Sequence, residues 1–344
     1  MEKKYNLLNV SSPHFHDNSS TRRIMLDVVI ALLPVSVASV VIFGVKALLL
    51  IVTCVLSAVL AEYVFNLIVK KPCTIGDFSA VVTGLLLALN LGTDVTIPQA
   101  IVGSVFAIVF VKGIFGGLGK NFANPAITAR VFMLLCFSTV TSFTVPKCVE
   151  LVSSATPLVN LKAGNMDLLP TLSQMLLGLH GGSIGETCIV ALVVGWIYLS
   201  VRKVIKWYVP FAYIATVFVL FLAASQSPIV ALYEILSGGL FIGAIFMATD
   251  YSSTPLHVKG KVVFCILAGI ITFIIRKFFV SPVTFALMSA PNPSTHKTPL
   301  ISLRTAMPFL FSGSICASLK SFLSVFVHLR LARVILSPSR RLPI

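Results

Sequence analysis

Charged residues are scarce in this chain of 344 residues: they make up 11% of it, against about a quarter in ordinary soluble proteins. Only 11 residues are acidic, and 57% of the chain is hydrophobic. The mean hydropathy is +1.00. So few charges are not enough to cover the surface of a soluble protein of this length. The composition therefore excludes an ordinary soluble domain and predicts a protein embedded in a lipid bilayer.

The chain also lacks a Cys-x-x-Cys pair. Its seven cysteines lie mostly within or beside apolar segments. Closely paired cysteines are typical of metal centres and of disulfide frameworks. We therefore expect packed thiols and no metal site.

Basic residues outnumber acidic ones, and the formal net charge is +15. A basic protein can bind nucleic acid, but these charges lie at the ends of apolar runs rather than on one amphipathic face. This distribution is typical of membrane topology, in which Lys and Arg remain in the cytoplasm. We therefore expect contact with membrane lipid, no nucleic acid, and a cytoplasmic segment 1–23 that is not a cleaved signal peptide.

Apolar runs predict the fold class, which is an all-α polytopic membrane protein with about nine or ten transmembrane helices in one domain, 24–280. The segment 168–180 is too short and polar to span a bilayer, and it lies in a long loop, 146–185, that we expect outside the cell. The predicted spans are 24–43, 47–69, 78–92, 98–115, 126–145, 186–201, 208–224, 229–248 and 262–280.

One short pattern occurs twice: an apolar helix runs into Thr-Asp and then a proline, at Thr93-Asp94 and at Thr249-Asp250. The two helices run in opposite directions in the predicted topology, which favours two inverted repeats around a site near the membrane midplane. Acidic residues at membrane depth are costly and usually functional. The alternative is that these residues only cap helix ends.

A glycine-rich stretch from Gly113 to Arg130 ends in Asn121, Asn124 and a proline that begins the next predicted helix. It is not a Walker A loop, because five residues rather than four separate Gly113 from Gly119, and Asn follows the Gly-Lys pair. Backbone N–H groups at a helix N-terminus favour an anion such as a flavin phosphate. A tight turn between two packed helices is the alternative.

The loop from Leu151 to Gly164 is rich in small and hydroxylated residues. A hydroxyl without a neighbouring His or Lys is not an activated nucleophile. The residues alone therefore indicate an ordinary loop with no catalytic group.

Within that loop, "SSATPL" resembles the flavinylation motif Ser-Gly-Ala-Thr of a family that contains the D-type subunit of Rnf complexes and the B-type subunit of sodium-pumping NADH:quinone reductases. Longer stretches are similar too, and together they extend over residues 10 to 277: "SSPHFHDNSSTRRIMLDVVIALLP", "GGLGKNFANPAITARVF" and "FMATDYSSTP". The chain departs from the motif at Ser154, where the family has glycine, and has Glu150 where an aspartate is common.

The resemblance implies that a separate flavin transferase joins FMN through its phosphate to Thr156, making a phosphorylated threonine. Ser153, Ser154, Ala155 and Pro157 would set the local conformation. Asn121 and Asn124 are expected to bind a cofactor, and the two Thr-Asp pairs are candidates for an ion path or for a second flavin such as riboflavin.

The function that the resemblance implies is that of a flavin-carrying subunit of an ion-translocating ferredoxin:NAD⁺ oxidoreductase in the cell membrane of a prokaryote. Such a chain is inactive alone and assembles with other Rnf subunits that carry iron–sulfur clusters and flavins. Two alternatives stay open: the quinone-reductase B-type subunit, and a channel or transporter without redox activity.

The tail, 281–344, differs from the rest of the chain. No acidic residue follows Asp250, whereas eleven Lys and Arg do, and Ser and Pro become frequent. We expect this atypical basic segment to result from a frameshift. A natural tail with a surface or spanning helix at 306–327 is the alternative.

Overall fold

The computed structural model describes residues 20–70, 74–119, 121, 123–137, 140, 157–162, 169–250, 254–255 and 257–278. Within these ranges the regular elements are all helices, and no strand occurs. The structure thus confirms the predicted all-α class. Segment 1–19 and the tail 281–344 lie outside the described residues.

Five helices form the first half of the chain, and local sequence explains where they begin. The Ser20 side chain accepts a hydrogen bond from the backbone of Arg23 and caps the first helix. Gly44, with φ of 77°, separates the first two helices by one residue, a backbone conformation that glycine adopts without steric cost. These helices are α1 Thr21–Phe43, α2 Val45–Val69, α3 Ser79–Leu89, α4 Ile97–Gly113 and α5 Pro125–Cys136.

Seven helices follow in the second half. Two of them are single short turns in the long loop, and one pair is a single apolar helix broken at 237–239, with a bend of 67°. They are α6 Pro157–Lys162, α7 Leu172–Leu177, α8 Ile189–Val201, α9 Tyr208–Ser225, α10 Pro228–Leu236, α11 Leu240–Met247 and α12 Val258–Phe278.

A helix occupies each of the nine predicted spans, but their lengths differ. Four of them, α1, α2, α9 and α12, are long and apolar enough to cross a membrane, and the bent pair makes a fifth. The other four are shorter apolar helices of 10–17 residues. The 11 residues of α3 extend about 16 Å at the usual rise per residue. That is about half of the roughly 30 Å hydrocarbon core.

The predicted span 126–145 is too long. The helix ends at Cys136, and Phe137 has extended backbone angles. An extended residue cannot continue the helical backbone, so α5 does not extend through the rest of the predicted span as one unbroken helix. Hydrophobicity alone therefore overestimated the helix.

Apolar side chains lie both inside and outside the bundle. One buried cluster joins α1, α2, α3, α5 and α8, and a second joins α9, α10 and α12. Large apolar residues such as Val41 and Ile68 are exposed on the outer faces of α1 and α2. A helix that is apolar all round is typical of a lipid environment. The structure is that of a multi-pass membrane protein.

The side of the bundle where α1 begins is here called the proximal side, and the side where α1 ends the distal side. Helix α8 runs antiparallel to α1, because Arg202 at its end binds Asp27 near the start of α1. The starts of α1, α3 and α5 and the ends of α2, α4, α8 and α11 therefore lie proximally. Identifying this side as cytoplasmic remains a prediction from the positions of Lys and Arg.

Close packing of α3 on α2 depends on Gly84. A β-carbon at this position would lie 2.8 Å from the Cys54 carbonyl oxygen and 2.9 Å from the Val55 Cα. Both atoms belong to the backbone and cannot move aside like a flexible side chain. A glycine here allows two helices to approach closely.

Gly84→Ala should destabilise the protein by about 1–3 kcal/mol, the usual cost of overpacking. The measurement is the midpoint of unfolding in detergent. Gly76→Ala is the matched control, because a β-carbon there has nothing within 4 Å. Equal midpoints for the two variants would contradict the close contact between α2 and α3.

Candidate functional site

A small cavity on the proximal side collects four of the residues that the sequence predicted. Asn121 and Asn124 reach it from the glycine-rich stretch, and Thr249 and Asp250 reach it from the end of α11. The starts of α1 and α3 and the end of α8 complete its walls. The fold thus brings together two motifs that are far apart in the sequence.

These four residues differ in their local roles. The Asn124 side chain accepts a hydrogen bond from the Ala126 backbone at 3.1 Å and so caps α5. The Thr249 hydroxyl donates to the carbonyl of Ile245 in its own helix. The Asn121 side-chain oxygen, by contrast, is buried without a hydrogen-bond partner among the residues that the structure describes. A buried acceptor of this kind is costly unless something satisfies it, so Asn121 is the best placed of the four to hold a ligand.

The volume of this cavity, about 80 Å³, limits what it can hold. Small-molecule sites usually measure about 300–1,000 Å³. The cavity is large enough for an ion with a few waters, whereas riboflavin would require its walls to open.

A buried ion pair separates this cavity from a second one. The Lys112 ammonium contacts the Glu62 carboxylate at 2.6 Å, and both side chains are only 5% exposed. The same ammonium donates to the Ser79 hydroxyl at 2.6 Å. Thr74 donates to Glu62 at 2.8 Å and accepts from Asn66 at 3.0 Å. These hydrogen bonds compensate for the removal of both charges from water.

The second cavity has a volume of about 330 Å³ and lies on the other side of the ion pair. Lys112 lines both cavities. Glu62 and Asp77 give the second cavity an acidic wall, and glycines of the glycine-rich stretch form another part of it. The Lys112 side chain therefore borders both cavities. A charge bound in one cavity can act through Lys112 on groups in the other.

Lys112 follows the fourth apolar run, and the pattern of basic residues at the ends of such runs predicts a charge in a cytoplasmic loop. The structure corrects this interpretation, because the residue lies in a π-helical turn, Ala107–Gly113, with its side chain inside the bundle. π-helical turns are frequent at functional sites. The sequence did carry a signal, since both Lys112 and Glu62 interrupt apolar runs, and charges at membrane depth usually indicate function.

Thr93 and Asp94 do not reach the proximal cavity. They follow the end of α3, beyond Leu89 and Leu91, whose carbonyls accept hydrogen bonds from the segment just before α8. Because α8 begins distally, the first Thr-Asp pair lies away from the proximal side and the second lies close to it. Opposite placement of the two pairs agrees with the predicted inverted repeats.

The predicted flavin attachment residues lie largely outside the described residues. This applies to Ser153, Ser154, Ala155 and Thr156. Pro157 is described and begins α6, a short helix that packs against α10. The other end of this loop is also attached to α10, because the Tyr233 hydroxyl donates to the Pro170 carbonyl at 2.9 Å.

Comparison with known proteins gives a consistent result. The model of the NQR2, RnfD, RnfE family matches residues 8–290. The D-type subunit of the Na⁺-translocating ferredoxin:NAD⁺ oxidoreductase complex of Acetobacterium woodii is 44% identical over 276 residues, which are 79% of this chain and 86% of the relative.

Two further relatives have similar names. The D-type subunit of the proton-translocating ferredoxin:NAD⁺ oxidoreductase complex of Clostridium ljungdahlii is 38% identical over 79% of this chain and 87% of its own length. The D-type subunit of an ion-translocating oxidoreductase complex of Stutzerimonas stutzeri is 33% identical, with coverage of 78% and 87%.

Lys112→Met should destabilise the protein by about 3–5 kcal/mol, because it leaves the buried Glu62 carboxylate without its counter-ion. Combining it with Glu62→Leu should restore most of the loss, since an apolar pair replaces the ion pair. Unfolding midpoints in detergent measure both effects. Lys259→Met changes an exposed lysine and serves as the control. A single Lys112→Met variant as stable as this control would show that the ion pair contributes little.

Proposed function

The chain belongs to the NQR2, RnfD, RnfE family, and we propose that it is the flavin-carrying D-type subunit of a membrane complex that couples electron transfer between ferredoxin and NAD⁺ to ion movement. The observation that carries the proposal is 44% identity to the D-type subunit of such a complex over most of both chains. It is a subunit of a multi-subunit ion-translocating oxidoreductase, whose other subunits are its partners.

The proposed cofactor is FMN joined through its phosphate to Thr156 by a flavin transferase. Two observations support this attachment point. The "SSATPL" sequence is similar to the family's flavinylation motif, and the residue after Thr156 begins a helix that is packed on α10. Because Pro170, farther along the loop, is also bound to α10, the loop is fixed at two points that follow Thr156. A tether held in this way keeps a redox group at high local concentration near its partner.

The cofactor and the protein have different roles in electron transfer. FMN, when attached, supplies one-electron and two-electron transfer, and the protein supplies position and electrostatics. Pro157, Leu158 and Leu161 are buried, so α6 fixes the backbone that follows the attachment residue. The anchoring helix α10 begins distally, which puts the flavin loop outside the cell if the proximal side is cytoplasmic.

The proximal cavity is proposed as part of the ion path. Its size favours an ion over riboflavin, and Asp250 supplies a carboxylate in its wall. The Lys112–Glu62 pair next to it provides charges that can respond to an ion. The relatives are named for sodium in one case and for the proton in another, so ion transport has to be measured for both.

The quinone-reductase B-type subunit and a transporter without redox activity are the alternatives. A gene neighbour that encodes a ferredoxin-like iron–sulfur subunit favours the Rnf assignment, and a quinone-reductase operon favours the first alternative. Covalent flavin excludes a plain transporter.

Thr156→Ala should abolish the covalent flavin. Coexpression with a flavin transferase should give a wild-type band that remains fluorescent after denaturation and a dark band for the variant. The mass of the peptide from Lys147 to Lys162 shows directly whether FMN is attached. Ser153→Ala is the control, because it removes a hydroxyl from the same motif and should keep the flavin. An unmodified wild-type peptide would contradict the proposal.

Asp250→Asn should reduce ion uptake driven by ferredoxin-dependent NAD⁺ reduction in membrane vesicles, because it removes the negative charge from the cavity wall. Asp94→Asn tests the distal member of the repeat in the same assay, with sodium and proton uptake recorded separately. Lys206→Met changes an exposed residue and is the control. Undiminished uptake in both aspartate variants would remove them from the ion path.

A further inference from the structure

The segment from His180 to Thr187, here called the polar loop, is buried throughout although it has no regular secondary structure. Ile184 donates its backbone N–H to Leu91 at 2.9 Å, and Gly185 donates to Leu89 at 2.7 Å. The loop thereby satisfies carbonyls at the end of α3. Irregular backbone at membrane depth is tolerated only where protein buries it or where it lines a water-filled cavity.

Two opposite charges lie at this loop, one on α5 and the other in the loop itself. Arg130 of α5 is buried and donates to the side chain of Asn90, directly after α3, at 2.9 Å. Glu186 in the loop is buried beside the helix break at 237–239, since a β-carbon on Gly239 would lie 3.2 Å from one of its carboxylate oxygens. Glu186 interacts electrostatically with both Arg130 and His180.

Several polar atoms in this region are buried without a hydrogen-bond partner in the described part of the chain. They are Arg130 Nε, His180 Nε2, Ser183 Oγ and Thr187 Oγ1. Most buried polar atoms in proteins do have a partner, and each one without a partner costs about 1–3 kcal/mol. Four such atoms in this loop and on the neighbouring Arg130 therefore indicate that the loop holds a ligand.

The charges decide which class of ligand fits. The positive charge of Arg130 and the negative charge of Glu186 cancel. His180 adds no charge near neutral pH, because burial lowers its pKa, an effect that the Gly181 backbone, the charge of Glu186 and the Met175 backbone only partly oppose. An added ion would leave a net charge inside the protein, which is costly. A neutral ligand that both donates and accepts hydrogen bonds is favoured, and water meets both requirements.

Two glycines of the region let the backbone lie close to the Glu186 carboxylate. A β-carbon on Gly182 would lie 3.0 Å from the Glu186 Oε1 atom, so any larger residue there would crowd the carboxylate. A β-carbon on Gly239 would lie 3.2 Å from the other carboxylate oxygen. Each oxygen therefore lies close to a glycine.

We propose that the polar loop holds an internal water cluster that bridges Glu186, Arg130 and His180 between the end of α3 and the helix break. Each water hydrogen-bonds to two or more of the partnerless atoms, as buried waters usually do. The cluster keeps the two opposite charges solvated within the bundle without direct contact. It depends on the protein alone and not on the flavin or on any partner subunit.

Radiolytic hydroxyl-radical footprinting of the purified complex tests this proposal, because X-rays generate radicals from bound water in places that bulk solvent does not reach. His180 is 1% exposed and Cys265, in the apolar cluster of α9, α10 and α12, is 0% exposed. We expect oxidation of His180 and none of Cys265, although thiols react more readily with radicals. An unlabelled His180, or equal labelling of both residues, would overturn the proposal.

A matched pair of serine variants tests the composition of the cluster. Ser183→Ala removes a hydroxyl that has no protein partner and should reduce the labelling of His180. Ser104→Ala also removes a buried hydroxyl, but one that donates to the Ala100 carbonyl at 2.8 Å in its own helix, and it should leave the labelling unchanged. Equal labelling of His180 in the two variants would contradict a cluster that includes Ser183.

Discussion

The structure depends on one constraint: a polar group inside the bilayer must find its partner within the protein. Helices that span the membrane without a break meet this constraint through their own backbone. Helices that stop halfway do not, and in this chain other segments satisfy their ends. The polar loop binds the end of α3, and Arg276 of α12 donates to the Ser237 carbonyl at the bend between α10 and α11, at 3.1 Å.

The same constraint explains where the buried charges lie. Interrupted helices bring exposed backbone dipoles to the middle of the bundle, and charged side chains are stable only beside such groups or beside each other. Lys112 and Glu62 pair at the proximal side, whereas Arg130 and Glu186 face the broken ends farther in. The buried charges named here therefore lie next to other polar groups of the protein.

Sequence reasoning identified the positions of the spans because a long apolar run in a chain with few charges has only one stable state, a membrane helix. It located the end of α5 wrongly, since hydrophobicity does not show that Phe137 takes an extended backbone. It also singled out Asn121 and Asp250 from their motifs, and both line the proximal cavity. It did not find the Lys112–Glu62 pair, because these residues are 50 positions apart and each alone was interpreted as an ordinary charge or left unnoticed.

The sequence by itself determined the membrane class, the helical segments and the family, because composition, periodicity and motifs are local properties of the chain. Only the tertiary structure decided which polar residues meet. Asn121 and Asp250 share a cavity, whereas Asp94 lies elsewhere, although the two aspartates occur in the same pattern. The reason is that a buried polar group is stabilised by whatever lies next to it in space, and for Glu186 or Lys112 that neighbour belongs to a distant helix.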